Sequence, residues 1–519
     1  GDGSCRPANI LGGVGAISQE AIDFVTASIE NNFKTEQFVF LGQVTGDMGD
    51  FKFDAGPILF AAGAELRSER SESRFDPLVR GVMPVTTDYG QEGDRLADIA
   101  FDLEDQFGEP FDQRSLAFDS GSLIQDVIGT YDVGEIFGEV SVPLLAEKAF
   151  AHNLTFDAAG RVSNYSTIGS TLTWNAGGTW APLSDSFRLR GAFSRAVRAP
   201  NVNELFSPSQ GAFFRPIDPC DTAEVQALID SGDPRGPIRQ ANCAADGIPS
   251  GYTDPLTARF VGETSGNPNL TEEEADTVTF GFVYTPNWAE GLQMTIDYWS
   301  IEIKDAIDAP SGQSIVDSCY DSASFPENQF CPLIRRNEDP TSPQFKGLTF
   351  LRQQQLNIGK LEAEGVDFDI RYVLGVGPGD LAFGLTGTWM DKLDRFFDPT
   401  DPTAVDPELG ELQRPELAGS FNIGYMTSNF NVNYRLQYQD EQGLRGVEIE
   451  TVDQVYGPAG IADAITIHDI NASYIFADRY RVYGGVNNLT DEVPFITEFA
   501  YPVNPLGRFY FVGLQADFM

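Results

Sequence analysis

Residues 431–440 read NVNYRLQYQD. Val432, Tyr434, Leu436 and Tyr438 alternate with Asn433, Arg435, Gln437 and Gln439, so a strand here has one apolar face and one polar face. The fold turns on what meets each face. In a soluble sandwich the apolar face packs on a second sheet and the polar face meets bulk water. In a membrane barrel the apolar face meets lipid and the polar face lines an aqueous lumen.

Working outward, the alternation recurs along the chain. Val278, Phe280, Phe282 and Tyr284 form one such set, Leu292, Met294, Ile296 and Tyr298 another, and Val366, Phe368, Ile370 and Tyr372 a third. Ile470, Ala472, Tyr474 and Phe476 follow, and Tyr510, Val512, Leu514, Ala516 and Phe518 close the series. In all, about fifteen strands are expected, beginning near 36, 57, 133, 153, 168, 186, 276, 291, 361, 380, 419, 430, 465, 480 and 508. Their connections alternate between short and long. TPNWAEG, LGVGPGD, MTSN and FADR are short, whereas 71–130, 199–275, 303–360, 391–418, 440–464 and 490–507 are long. A brief join near 164–167 breaks the rhythm. Short periplasmic turns opposite long extracellular loops produce this pattern, because successive strands cross the membrane in opposite directions. A sandwich has no reason to gather its long loops at one end. The expected fold is therefore all-β, a transmembrane antiparallel β-barrel over 36–519 with a loop segment, 1–35, leading into it. Trp180 and Trp288 then fall in short turns, where an interfacial aromatic belt belongs.

Composition agrees with an outer surface exposed to solvent and salt. The chain of 519 residues has a net charge of −43, which opposes nucleic acid and anionic surfaces as partners. No run of about 18 apolar residues marks a transmembrane helix, and alternating strands hide their apolar face from such a search.

All five cysteines fall in segments that the strand order places outside: Cys220 with Cys243 in one long loop, Cys319 with Cys331 in another, and Cys5 before the first strand. A disulfide within each loop pair is expected in an oxidising exterior. Cys5 is left over, either as a free thiol or bonded to a partner upstream. An odd strand number, short of closure, predicts that the chain is the C-terminal part of something larger.

Four stretches carry a family resemblance: SRAVRAPNVNELF at 194–206, NPNLTEEEADT at 267–277, NNLTDEVPF at 487–495 and the terminal GRFYFVGLQADFM. Their order and their places at strand ends resemble the second half of the barrel of TonB-dependent receptors of Gram-negative outer membranes. The resemblance implies a barrel of about 22 strands closed by an N-terminal plug, with energy delivered by TonB through a short periplasmic box. Neither plug nor box is found here. It implies import of a scarce nutrient, a ferric siderophore or an oligosaccharide, and contact with TonB, with outer-membrane lipid and lipopolysaccharide, and with a small ligand. Met519 stands where the family usually ends on an aromatic, leaving that role to Phe518. A passive porin or structural barrel without an energised gate is the rival reading, and a soluble adhesin a third.

Candidate residues follow from position. Phe213, Phe214 and Arg215 in the first stapled loop, and Tyr320, Phe325 and Phe330 around the second staple, suit ligand capture, since a staple orders a surface before the ligand arrives. Arg195 and Arg198 sit near a strand's outer rim and Pro200 ends that strand. Asn488, Thr490 and Asp491 suit capping of a strand-to-loop turn. The acidic loop 398–411 offers Asp398, Asp401, Asp406, Glu408 and Glu411 as oxygen ligands for calcium, without EF-hand spacing. No catalysis is expected: the chain has two histidines, His152 and His468, with no second ligand at useful spacing, and no GxSxG, Walker A or CxxC motif.

Overall fold

The computed structural model describes residues 16–25, 29–76, 125–396, 405–444, 457–477, 479–495 and 501–516. A short helix, α1 (Gln19–Val25), precedes the sheet. The wall comprises β1 (Asn32–Phe53), β2 (Gly56–Arg74), β3 (Val127–Lys148), β4 (Ala151–Tyr165), β5 (Gly169–Ala181), β6 (Phe187–Arg198), β7 (Glu273–Tyr284), β8 (Leu292–Asp308), β9 (Leu356–Val376), β10 (Gly379–Phe396), β11 (Leu417–Met426), β12 (Phe430–Gln439), β13 (Ile465–Phe476), β14 (Tyr480–Asn487) and β15 (Phe509–Ala516). Each pairs antiparallel with the next, and a two-residue strand, Asp406–Pro407, joins β10 as a sixteenth member of the sheet.

The expected strands are present, and several run longer than the alternation suggested. About 9–11 residues suffice to cross the hydrocarbon, yet β1 and β3 have 22 each and β9 has 21. The alternation follows the part of a strand that touches lipid, and the hydrogen-bonded ladder continues beyond it. The brief join at 166–168 also stands, between β4 and β5.

Register shows why the alternation is maintained. Leu436 of β12 lies opposite Phe421 of β11, which lies opposite Leu385 of β10, so apolar residues form rows across strands. Arg435 and Asn422 form the neighbouring polar row, opposite Asp469. On the apolar face Ile136, Val162 and Leu172 are also row neighbours, and they are 64%, 45% and 55% exposed. No second sheet covers them among the described residues, so the sandwich is excluded and the exposed row is a lipid-facing surface. The sheet remains open: β1 and β15 each have a single neighbour.

The short-turn end bears the aromatics of the belt. Trp180 lies in the last residues of β5 rather than in the turn and donates from its indole to the Phe150 carbonyl at 2.8 Å. Trp288, in the β7–β8 turn, donates to the Tyr284 hydroxyl at 3.0 Å and is 79% exposed. Indoles satisfied on one side and exposed on the other suit a membrane interface.

Candidate functional site

At the opposite end, the segment after β6 turns sharply. Pro200 is buried and α2 (Val202–Phe206) begins with Asn201 as its cap. The Asn201 side chain accepts from the amides of Asn203 and Glu204, and Glu204 accepts from the Asn201 amide, closing a reciprocal capping box. The helix packs Val202 and Phe206 over Gly129 of β3, where a Cβ would come within 2.3 Å of Val202. The motif at 267–277 meets this corner: the Asn267 amide donates to the Glu204 carbonyl at 2.8 Å. Arg198 ties the two together, donating to Glu273 at 2.7 Å and to both Glu204 oxygens at 3.1 Å.

The two long loops beyond this corner fold into one cap. The first contains α3 (Thr222–Ser231), capped by Asp221 and stopped by Gly232 at φ 76°, and α4 (Arg235–Ala245). The second contains α5 (Gly312–Asp321), capped by Ser311. A four-stranded sheet joins the loops, because residues 348–354 of the second pair in parallel with 260–265 of the first. Around it, Ile315, Val316, Leu348, Leu351, Tyr252 and Leu333 form an apolar core with both disulfides, Cys220–Cys243 and Cys319–Cys331. Each disulfide closes its own loop. Cohesion between the loops comes from the shared sheet, the core and buried charge.

Two ion-pair clusters carry that charge. Arg336 donates to both oxygens of Asp218 at 2.6 and 2.7 Å, to the Lys346 carbonyl at 2.7 Å and to the Tyr320 hydroxyl at 2.6 Å. Tyr320 in turn donates to Asp246 at 2.7 Å, and Tyr252 donates to Asp218 at 3.1 Å. Arg239 forks onto Asp321 with both contacts at 2.6 Å and reaches Asp317 at 3.0 Å. Burial raises the phenols of Tyr252 and Tyr320 above their ordinary range, so both remain donors at neutral pH. Burial also raises the Asp317 carboxyl, against the lowering influence of Arg239.

Below the cap end, the polar faces of β9 to β13 bound a cleft of about 510 Å³. Thr388 donates to Asp367 at 2.6 Å, and the hydroxyls of Thr386 and Ser420 lie 3.0 Å apart. Gln437 and Gln439 of β12 line it, with Ile465 and Ile467 of β13 beside them. The last long loop touches its rim through Pro502, held by the Tyr501 hydroxyl donating to Gln439 at 2.7 Å.

The family model for TonB-dependent receptor-like β-barrels matches residues 27–489. The chain belongs to the TonB-dependent receptor family. Solved structures share the fold: the siderophore receptor PirA from Acinetobacter baumannii matches with TM-score 0.53 and 15% identity, over 94% of this chain and 55% of that one. A variant of the ferric enterobactin receptor PfeA from Pseudomonas aeruginosa matches with TM-score 0.56 and 13% identity, over 94% and 54%. The FrpB iron transporter from Neisseria meningitidis gives 0.50 and 11%, over 95% and 56%. No curated protein matches the sequence. The chain thus spans about half the length of these structures, and identities this low speak for the fold alone.

Within this TonB-dependent receptor barrel the candidate residues fall into three groups. Tyr320 and Phe330 are 2% and 1% exposed, so the expectation of capture aromatics is corrected for both: they are core residues of the cap. Phe325 stacks on Tyr320 at 5.3 Å between ring centroids, and Phe214 packs against the same core. Phe213 alone of these aromatics is exposed, at 43%. Arg215 is spent on Asp254 and on the carbonyls of Pro216 and Leu256.

At the rim, Arg195 forks onto Asp276 at 2.8 and 2.7 Å. With Arg198 also paired, both guanidiniums hold the corner together, and a ligand would have to displace a carboxylate to reach either. Asn488 and Asp491 act as turn caps at φ 52° and 62°: Asn488 brackets the Glu492 backbone with two 2.8 Å bonds, and Asp491 accepts from the Arg508 amide at 2.8 Å. Thr490 makes no side-chain hydrogen bond among the described residues.

Cys5, Phe518, Asp398 and Asp401 lie outside the described residues. Asp406 sits in the short strand beside β10, while Glu408 and Glu411 face Arg414 at 3.1 and 2.5 Å. Among the described residues no group of three or more His, Cys, Asp or Glu side chains is placed to hold a metal. His468 accepts or donates at Nδ1 with the Tyr434 hydroxyl at 2.6 Å, and His152 lies between Glu147 and Asp185 at 3.3 and 3.5 Å. The family is one of receptors rather than enzymes.

Proposed function

We propose that the protein is an outer-membrane importer that captures a scarce nutrient at its long-loop end and releases it inward with energy delivered through TonB. The observation that carries this reading is the polarity of the molecule. Among the described residues one end bears a folded, disulfide-stapled cap and a polar cleft, and the other bears short turns and indoles suited to an interface. A general diffusion pore gains nothing from an ordered cap, whereas a receptor gains affinity from a surface ordered before binding.

The open wall belongs to the same proposal. Unpaired N–H and C=O groups along β1 and β15 would each cost several kcal/mol, on the order of 2–7, against hydrocarbon. Additional strands pairing with β1 and β15 would satisfy these edges, and a plug would close the lumen. The ligand classes are ferric siderophores and oligosaccharides. Partners are the TonB complex, outer-membrane lipid and lipopolysaccharide; the net charge of −43 opposes nucleic acid as a partner.

The test measures uptake of labelled iron complexes and oligosaccharides by cells with and without the protein, before and after collapse of the proton gradient. The reading predicts uptake that requires both the protein and the gradient. Uptake that survives collapse would show a passive pore.

A further inference from the structure

The rim cleft between β9 and β13 lies on the lumen side, at the ends of β12 and β13 that the 440–464 connection joins, the same end of the wall that carries the cap. Its groups are used differently from those at several other places on the polar wall, where charges are paired across strands: Arg190 with Asp297, Arg161 with Glu135, Arg195 with Asp276. In the cleft, Arg435 has no ion-pair or hydrogen-bond partner among the described residues, although Asp469 is its register partner. Gln437 has a single long contact, its amide donating to Asp469 at 3.4 Å. Gln439 gives its oxygen to Tyr501.

These groups have spare capacity of one kind. The two amides, the Asp367 carboxylate and the Arg435 guanidinium are planar, two-point hydrogen-bonding groups. Thr386, Thr388 and Ser420 add hydroxyls that both donate and accept. Ile465, Ile467 and Pro502 supply apolar surface beside them. Planar amides and carboxylates bridge neighbouring hydroxyls, and an apolar strip suits the C–H face of a pyranose ring.

Charge separates the two ligand classes. Asp367, Asp369 and Asp469 share this face, and Arg371 is already paired with Asp369 at 2.8 Å, so that among the described residues lining the cleft Arg435 is a cation without an ion-pair partner. A compact polyanion would meet Asp367 and Asp469, neither with an ion-pair partner among the described residues, within the roughly 8–10 Å over which charges act in physiological salt. A neutral sugar chain, or one bearing a single acid group opposite Arg435, would not.

The geometry points to the rim cleft as a binding subsite for an oligosaccharide, with Gln437, Gln439, Asp367 and Ser420 holding ring hydroxyls and Arg435 placed for one acidic substituent. This inference rests on the reading of the protein as an importer and narrows it to one ligand class. A site that hydrogen-bonds hydroxyls favours ligands that bear them, because a ligand without them covers these polar groups and leaves them unpaired.

The experiment presents the purified protein in detergent to a microarray of neutral and uronic-acid-containing oligosaccharides and, separately, to a ferric tris-catecholate. Gln437→Ala and Ser420→Ala are tested alongside, neither of which removes a strong bond within the wall. Retention of an oligosaccharide, weakened about tenfold by Gln437→Ala and less by Ser420→Ala, is the expected result. Retention that neither variant changes places the sugar elsewhere and overturns the subsite. Binding of the tris-catecholate with no oligosaccharide retained overturns the ligand class and leaves the importer standing. Binding of neither, together with no gradient-dependent uptake by cells, removes the importer reading as well.

Discussion

The wall and the cap are held together in opposite ways. Every wall strand pairs with its neighbour in the path, and its side chains repeat a two-solvent pattern that any short window displays. The cap is joined by contacts between distant residues: Arg336 and Asp218 are 118 positions apart, and Arg239 and Asp321 are 82 apart. Where the surroundings repeat, the sequence repeats. Where a core is assembled from two separate loops, each loop carries only half of the contacts that join them.

That contrast is sharpest when one buried charge loses its partner. Arg336→Ala leaves Asp218 buried without its counter-charge, a loss of about 3–5 kcal/mol concentrated in the cap. Limited proteolysis should then cut within 199–272 and 309–355 while the wall resists. Equal resistance of the variant and the parent cap would mean that the pair does not join the loops.

The wall can be challenged on adjacent residues of the opening stretch. Leu436→Arg places a charge on the lipid face and should destabilise the inserted protein by about 2–4 kcal/mol, whereas Gln437→Arg, facing the lumen, should have far less effect. Denaturant unfolding from bilayers measures both, and similar losses would break the assignment of faces.

At the junction of the two regions, Asn488→Ala removes both side-chain bonds to the Glu492 backbone and leaves that backbone unsatisfied. A loss of about 1–3 kcal/mol is expected, read as faster hydrogen exchange at 488–495. Unchanged exchange would show that the motif is not a structural cap.

The smallest effect is a pH dependence. Burial raises the Asp317 carboxyl in the folded cap above its ordinary value near 3.8, so the folded state holds this proton more tightly than the unfolded chain. Cap stability from this group is therefore present below the ordinary value and is lost as pH rises through the raised one. Asp317→Asn should flatten that dependence, measured by proteolysis of the cap across the acidic range.

How much could be read from the sequence follows from the same contrast. The strand positions and the lipid and lumen faces were legible in alternations such as Val432 to Tyr438, and the turn caps Asn488 and Asp491 in NNLTDEVPF, because each depends on near neighbours. From sequence Tyr320 and Phe330 read as capture residues, because aromatic character in a long loop does not say which side is solvent. A signal was available: Ile315 with Cys319, and Val316 with Tyr320, are spaced as one stripe of a helix, which turns Tyr320 inward. For Arg336 no local signal existed, since its neighbours in sequence do not include Asp218. Arg435 and Gln437 were visible as the polar face of β12, but their availability depended on what the adjacent strands placed beside them.

Hydrogen exchange of the protein in lipid nanodiscs tests the two-region account most directly. Residues 260–265 and 348–354 should be protected together, and Arg336→Ala should release both segments while β9 to β13 keep their protection. Exchange of 348–354 at the rate of an open loop in the unaltered protein, or release of one segment without the other, would contradict a single folded cap on a separate wall.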